Sequence, residues 1–382
     1  MQAAAAVSPR LDLLDALRGF AIVSIMLLHN IEHFDLYFVP ADLPAWLTAV
    51  DRVVWDSMFF LFGGKSYAIF ALLFGVTFYL QLHRRAQRGE DFRPRYAWRL
   101  VLLLGFGLVN SMFYHGDILS IYAVLGLLLI PVAHMRSALV FAIAVLLLLQ
   151  PYAWFDYLRA ISAPAEKLAD PASWKYFGRA NEYMQHGSIA EVWFGNLTNG
   201  KTGVILWSWE NGRLFQIPAL FMLGMLAARK NLFHLSPENK RHWLRALTIA
   251  LLLFIPLYLL KSNPLWWQQE AAHPGLLTIL TSWSNLALMV VLVAGFSLAF
   301  YSRPVLAFLS PLGRMSLTSY VMQSVVGTCI YYGFGLGLYR YTGASTALLI
   351  GIVLALAQRQ FSVWWLRSHQ QGPLEALWHR AT

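Results

Sequence analysis

Arg18 and His29 stand eleven residues apart in one apolar run. On a helix that spacing puts both on one face, about 16 Å apart along the axis. A guanidinium can hold an anion and an imidazole can move a proton. Asp15, one turn before Arg18, is its natural partner. The plainer alternative has Arg18 snorkelling to an interface and His29 serving as a hydrogen-bonded packing residue. Lys65, in Phe62-Gly63-Gly64-Lys65-Ser66-Tyr67, could hold a phosphate or carboxylate, or pair with Asp56. Its glycines permit a helix break or a close backbone approach.

In the turn Tyr114-His115-Gly116-Asp117-Ile118-Leu119, the nearby imidazole and carboxylate suit general acid–base work, and Asp117 equally suits an N-cap. Glu210 and Arg213 are one turn apart, with Gln216 extending their face; they read as a buried ion pair or as ligand contacts. Arg314 follows the Pro311-Leu312-Gly313 turn, and Ser316, Thr318, Ser319 and Gln323 make the next run unusually polar. That polarity fits a cavity wall or hydrogen-bonding glue between helices. There is no His-Glu-x-x-His, paired CxxC or Gly-x-Ser-x-Gly. The spacing of His29, His33 and His115 matches no metal site, and no metal is expected.

The elements that must carry these residues are membrane helices. Of 382 residues, 58% are hydrophobic and 13% charged, about half the charge of a soluble domain. Lipid is therefore the expected solvent. The 15 Trp and 17 Tyr suit membrane–water interfaces. The single cysteine, Cys329, excludes an internal disulfide framework. The net charge of +10 sits in short loops between apolar runs, which argues for topology rather than nucleic acid. Met1 to Pro9 lacks the basic leader of a cleavable signal, so the first run reads as an uncleaved anchor.

Windows of about 20 apolar residues give ten spans, 13–36, 53–81, 98–114, 117–134, 137–156, 203–227, 243–261, 275–300, 305–332 and 344–366. The expected fold is an all-α, polytopic helix bundle, one transmembrane domain over 1–382. Arg84, Arg85, Arg88, Arg93, Arg95 and Arg99 share one loop, and Arg229, Lys230, Lys240, Arg241 and Arg245 another. With Arg136 and Arg303, these loops fall on one face together with both termini, giving an N-in/C-in orientation. The opposite loops 37–52 and 262–274 carry Asp42, Asp51 and Glu270. The long stretch 157–202 reads as a non-cytoplasmic amphipathic segment, either a lid over a site or an inert connector.

Four motifs carry a resemblance. They are Leu14-Asp15-Ala16-Leu17-Arg18-Gly19-Phe20-Ala21, Gly116-Asp117-Ile118-Leu119-x-x-Tyr122, Leu312-Gly313-Arg314-Met315-Ser316-Leu317-Thr318-Ser319-Tyr320-x-x-Gln323-Ser324, and Phe361-Ser362-x-Trp364-Trp365-Leu366 followed by Gly372-Pro373-Leu374-Glu375-x-Leu377-Trp378. In this order they resemble the YeiB-like family, domain of unknown function 418. More distantly the chain is similar to transmembrane acyltransferases of the acyltransferase-3 and heparan-glucosaminide acetyltransferase groups.

That similarity implies an acyl group, commonly acetyl, moved from acyl-CoA to an envelope glycan or lipid acceptor across the bacterial cytoplasmic (inner) membrane. The Arg, ten residues, then His of acyltransferase-3 maps onto Arg18 and His29. His29 would then be catalytic, with His115 and Asp117 as the second choice. Arg18, Arg314, Lys65, Glu210, Arg213 and Gln323 would contact substrates, acyl-CoA serving as donor. The alternative from the residues is a transporter or lipid-handling protein without covalent chemistry. A homodimer is compatible with either.

Overall fold

A computed structural model describes residues 9–41, 43–162, 170–263 and 273–382. Asp42 and Glu270 lie outside these, as does part of the 157–202 segment. No strand occurs among the described residues. The chain opens with α1 (Pro9–Ile31), α2 (Ala45–Phe62), α3 (Ser66–Ala86) and α4 (Arg93–Phe113). Short helices α5 (Leu119–Gly126) and α6 (Leu129–Val132) precede α7 (Ser137–Leu148) and α8 (Pro151–Ser162). Then come α9 (Trp174–His186), α10 (Ile189–Gly195), a π-turn at Asn196–Gly200, α11 (Lys201–Glu210) and α12 (Arg213–Arg229). Helices α13 (Pro237–Ser262) and α14 (His273–Ser302) lead to α15 (Ser310–Arg314), α16 (Ser316–Tyr331), α17 (Ala344–Trp365) and α18 (Pro373–Arg380).

Among the described residues seven helical stretches are long and apolar enough to cross a membrane: Asp12–Ile31, Ala45–Ala86, Arg93–Phe113, Ser137–Ser162, Pro237–Ser262, Pro274–Ser302 and Ala344–Trp365. Three of the ten expected spans take other forms. The window 117–134 is divided into α5 and α6, and 305–332 into a 3-10 turn, α15 and α16. The window 203–227 breaks at Asn211-Gly212, where Gly212 adopts φ +66°, a left-handed conformation that costs glycine little. The 53–81 run breaks at Gly63-Gly64-Lys65 into α2 and α3. Apolar composition sets total hydrophobic length, but glycine and proline decide whether one helix uses all of it.

Helix α1 is the hub, packing on α3, α15, α16 and α17. Leu13, Leu17, Ala21 and Ile22 are completely buried, as suits a helix enclosed on most sides. Helices α3 and α12 cross at glycines: a Cβ on Gly75 would meet the Phe221 carbonyl, and one on Gly224 the Leu72 carbonyl. Small residues at such crossings let membrane helices approach backbone to backbone. By contrast α13 turns Leu244, Ile249, Leu252 and Leu259 outward, an apolar face suited to lipid.

The basic loops gather at one end of the bundle. The opposite end is covered by α9, α10 and the π-turn. Asn196 Nδ2 donates to the Met112 and Phe113 carbonyls at 2.9 Å each, and Gly333 N donates to Met184 O at 2.9 Å. The cover is thus tied to both halves of the chain.

Candidate functional site

At the basic end a cavity of about 350 Å³ opens between α1, α3, α4, α5, α15 and α18. Its mouth holds Arg18, Arg99 and Arg314 beside Asp15 and Glu375. Both carboxylates are engaged. Asp15 Oδ1 accepts from Arg18 Nη1 at 2.7 Å, while Arg18 Nη2 donates to Thr77 Oγ1 at 2.7 Å. Glu375 accepts from Leu317 N (2.7 Å), Thr318 N (3.1 Å) and Thr318 Oγ1 (2.6 Å), capping α16 from α18.

Arg99 lies 4.3 Å over the Trp378 ring, and Arg314 donates to the Gln370 carbonyl at 3.2 Å. The mouth therefore has one more guanidinium than carboxylates, and the inner walls are Phe70, Phe74, Leu103, Leu119 and Tyr122. From Gln81 to Phe70 on α3 the cavity runs about 16 Å into the bundle. A basic mouth over a narrow apolar shaft fits an anionic head on a slim tail.

A second polar cluster lies under the cover. His29 Nδ1 sits 3.1 Å from Tyr114 Oη and 3.5 Å from Glu32 Oε2, and Tyr37 Oη donates to Glu32 Oε1 at 3.2 Å. His115 is 1% exposed, its Nε2 is 3.6 Å from Asp35 Oδ2, and neither ring nitrogen has a hydrogen-bond partner among the described residues. Both residues lie in turns outside the helical spans. Burial pushes the His115 imidazole below its ordinary value, against the pull of Asp35 and with Lys201 adding to the shift. Burial and then Glu32 push the Asp35 carboxyl up, opposed by His115 and His29.

Asp35 is reached through an unusual backbone. His33, Phe34 and Asp35 have φ of 48°, 56° and 65°, three successive left-handed residues without a glycine. Each such residue costs about 1–2 kcal/mol. Phe34 holds the turn: it is fully buried, and its carbonyl accepts from Tyr332 Oη at 2.6 Å.

Asp117 is occupied elsewhere. Its Oδ1 accepts from Asn110 Nδ2 at 3.0 Å, and its Oδ2 from Ser120 N at 3.0 Å and Lys201 Nζ at 3.4 Å. It is a cap and the buried partner of Lys201. Between cavity and cluster lies a layer with unspent hydrogen-bonding capacity. Asn110 Oδ1, Ser120 Oγ, Ser319 Oγ and both amide atoms of Gln323 are buried without partners among the described residues.

Two expected site residues, Lys65 and Glu210, stand apart, while Arg213 lies close enough to Tyr37, Tyr67 and Tyr122 to act on them electrostatically. Lys65, 6% exposed at the helix break, donates to Phe59 O at 3.3 Å. Glu210 and Arg213 do not pair, because the left-handed Gly212 separates their helices. Glu210 accepts from Ser173 N (3.1 Å) and Ser173 Oγ (2.6 Å), and the Arg213 guanidinium is flanked by Tyr67 at 4.3 Å and Trp207 at 4.0 Å. Asp35 and Lys201 escaped the sequence reading of the site. Asp35 lies beyond the helical phase that links Arg18 to His29, and Lys201 falls at the end of the 157–202 stretch, read as an amphipathic segment rather than as part of a span. Among the described residues no group of three or more His, Cys, Asp or Glu is placed to hold a metal ion.

Residues 227–382 match the family described as a protein of unknown function, DUF418. Along nearly the whole chain, similarity extends to the uncharacterized protein YxaH of Bacillus subtilis (strain 168), at 29% identity over 98% of this chain and 94% of the relative. The uncharacterized protein YeiB of Escherichia coli (strain K12) is 28% identical, over 97% and 95%. An uncharacterized 39.9 kDa protein in the amylase 3' region of Bacillus acidopullulyticus is 28% identical, over 99% and 95%. No solved structure matches the chain. The YeiB-like resemblance carried by the motifs is thus matched by family and relatives.

Proposed function

We propose that this chain is a ten-span acyltransferase of the bacterial inner membrane, with both termini cytoplasmic, moving an acyl group from acyl-CoA to an envelope glycan or lipid. The three shorter, broken segments complete the ten crossings. One observation carries the reading: a basic-mouthed, apolar-shafted cavity at one end and a histidine–carboxylate cluster at the other, parted by a layer of unpartnered polar atoms. The cavity suits the pantetheine arm and a short acyl group. Arg18, Arg99 and Arg314 would hold the phosphates at its mouth. The polar layer would let the acyl carbon meet an acceptor entering beneath the cover, where His29 or His115 takes the acceptor's proton. Arg213 and Lys65 remain candidates for contacts to the acceptor.

The test is binding and turnover of radiolabelled acetyl-CoA by the purified chain in detergent. Arg18→Ala with Arg314→Ala should weaken binding at least tenfold, and His29→Ala should lower CoA release without weakening binding. Absence of CoA binding by the wild type overturns the reading. A transporter is favoured by the breaks at Gly63-Gly64-Lys65 and Asn211-Gly212, since transporters build midplane sites from interrupted helices. It predicts uptake into proteoliposomes without CoA release.

A further inference from the structure

The sequence set His115 beside Asp117, but the fold gives it to a different carboxylate. We propose that His115 and Asp35 form the proton-accepting site of this protein, for a hydroxyl- or amine-bearing acceptor. This rests on the transferase reading above.

Three separate parts of the chain are shaped around the pair. The left-handed turn His33–Asp35 turns the carboxylate back toward His115, to 3.6 Å from Nε2. Gly116 leaves room beside it, since a Cβ there would come within 2.6 Å of Asp35 Oδ2. Gly200 of the π-turn does the same for the imidazole: its Cβ would lie 2.6 Å from His115 Cβ. Asp117, by contrast, has its carboxylate oxygens taken by Asn110, Ser120 and Lys201.

His115 also has the free valence the role needs. Both its ring nitrogens are buried and only the Asn196 side chain approaches them, whereas His29 Nδ1 is engaged by Tyr114. A separation of 3.6 Å is too long for a hydrogen bond and short enough to close once an acceptor drives water out. The charged and titratable groups facing His115 are Asp35, Lys201, Tyr114 and, one shell out, His29 and Glu32.

In the step, the acceptor's O–H or N–H proton passes to His115 as its oxygen or nitrogen bonds to the acyl carbon. The carbon–sulfur bond breaks, and the leaving CoA thiolate recovers a proton from imidazolium. No oxidant or reductant is involved. Asp35 orients the ring and stabilises the imidazolium, acting as a positioning residue.

The test compares wild type with Asp35→Asn and Asp35→Glu. Asparagine tolerates left-handed backbone as aspartate does, so Asp35→Asn removes charge without reshaping the turn. Two readouts are taken: acetyl transfer or CoA release against pH, and deuterium exchange at the His115 ring C2 against pH by mass spectrometry. Asp35→Asn should lower turnover 10²–10³-fold with acetyl-CoA affinity within twofold of wild type. It should also move the His115 titration and the acid limb of the rate to lower pH, and Asp35→Glu should recover part of the rate. Wild-type turnover in Asp35→Asn overturns the proposal. Should no variant turn over acetyl-CoA, the transferase reading falls, and the exchange readout still decides the pair: an unshifted His115 titration overturns it, a downward shift supports it.

Discussion

Replacing Glu375 with alanine should free the C-terminal helix and widen the mouth of the cavity. The carboxylate accepts two backbone N–H groups at the start of α16 and the Thr318 hydroxyl, whose oxygen accepts from Leu374 N at 3.1 Å. Hydrogen bonds to a charged group contribute about 1.5–3 kcal/mol each in favourable settings. Here the carboxylate is only half-buried, so water replaces part of what is lost. A capping loss of about 1–2 kcal/mol and a helix-dipole contribution of up to about 1 kcal/mol together give roughly 1–3 kcal/mol. At about 1.4 kcal/mol per factor of ten, the undocked population of α18 should rise roughly five- to a hundredfold.

The remaining ties, Trp378 Nε1 to the Arg99 carbonyl at 3.1 Å and Trp98 Nε1 to the Ala381 carbonyl at 2.8 Å, keep the helix from leaving altogether. Hydrogen exchange over 373–380 in detergent reads the effect directly. Protection in Glu375→Ala within twofold of wild type would refute the reasoning, because the carboxylate would then hold nothing that water cannot.

Asp117→Ala should strand Lys201 as a buried unpaired cation and cost about 3–5 kcal/mol, seen as a large fall in thermal stability, with Asp117→Ala and Lys201→Met together losing less than Asp117→Ala alone. Gly200→Ala should force His115 aside and slow CoA release while sparing acetyl-CoA affinity, since the cavity lies at the other end. His115 has a folded value below its ordinary 6.5, so the folded state resists protonation. Stability should therefore fall as pH drops from 6.5 toward that lower value, and His115→Gln should flatten this slope in a thermal-denaturation series.

The long helices were legible because lipid immersion leaves an unmistakable apolar length, and α1, α13, α14 and α17 match their windows closely. Arg18 and Arg314 were visible because charge in an apolar run calls for a reason. Of the breaks, the one at Gly63-Gly64-Lys65 was legible from its paired glycines, and the one at Gly212 was not, since an apolar run looks the same whether or not a single glycine ends a helix inside it. Pairings were the least legible. Glu210 and Arg213 have ideal helical spacing and no shared helix; His115 and Asp35 are eighty positions apart and meet only because a left-handed turn reverses the chain. Local spacing predicts partners only while the helix continues.

Ser310 Oγ donates to Asp12 Oδ1 at 2.8 Å across 298 positions. Helix α1 is thus seated against a helix made much later in synthesis. At 5–20 residues per second, roughly 15–60 s separate the insertion of α1 from the arrival of α15. Through that interval Asp12 and the Asp15–Arg18 pair sit in a bundle still lacking its keystone. A chain that stalls before α15 lacks Arg314 and Glu375 at the mouth of its cavity, so arrested translation leaves an unfinished bundle rather than a half-working product.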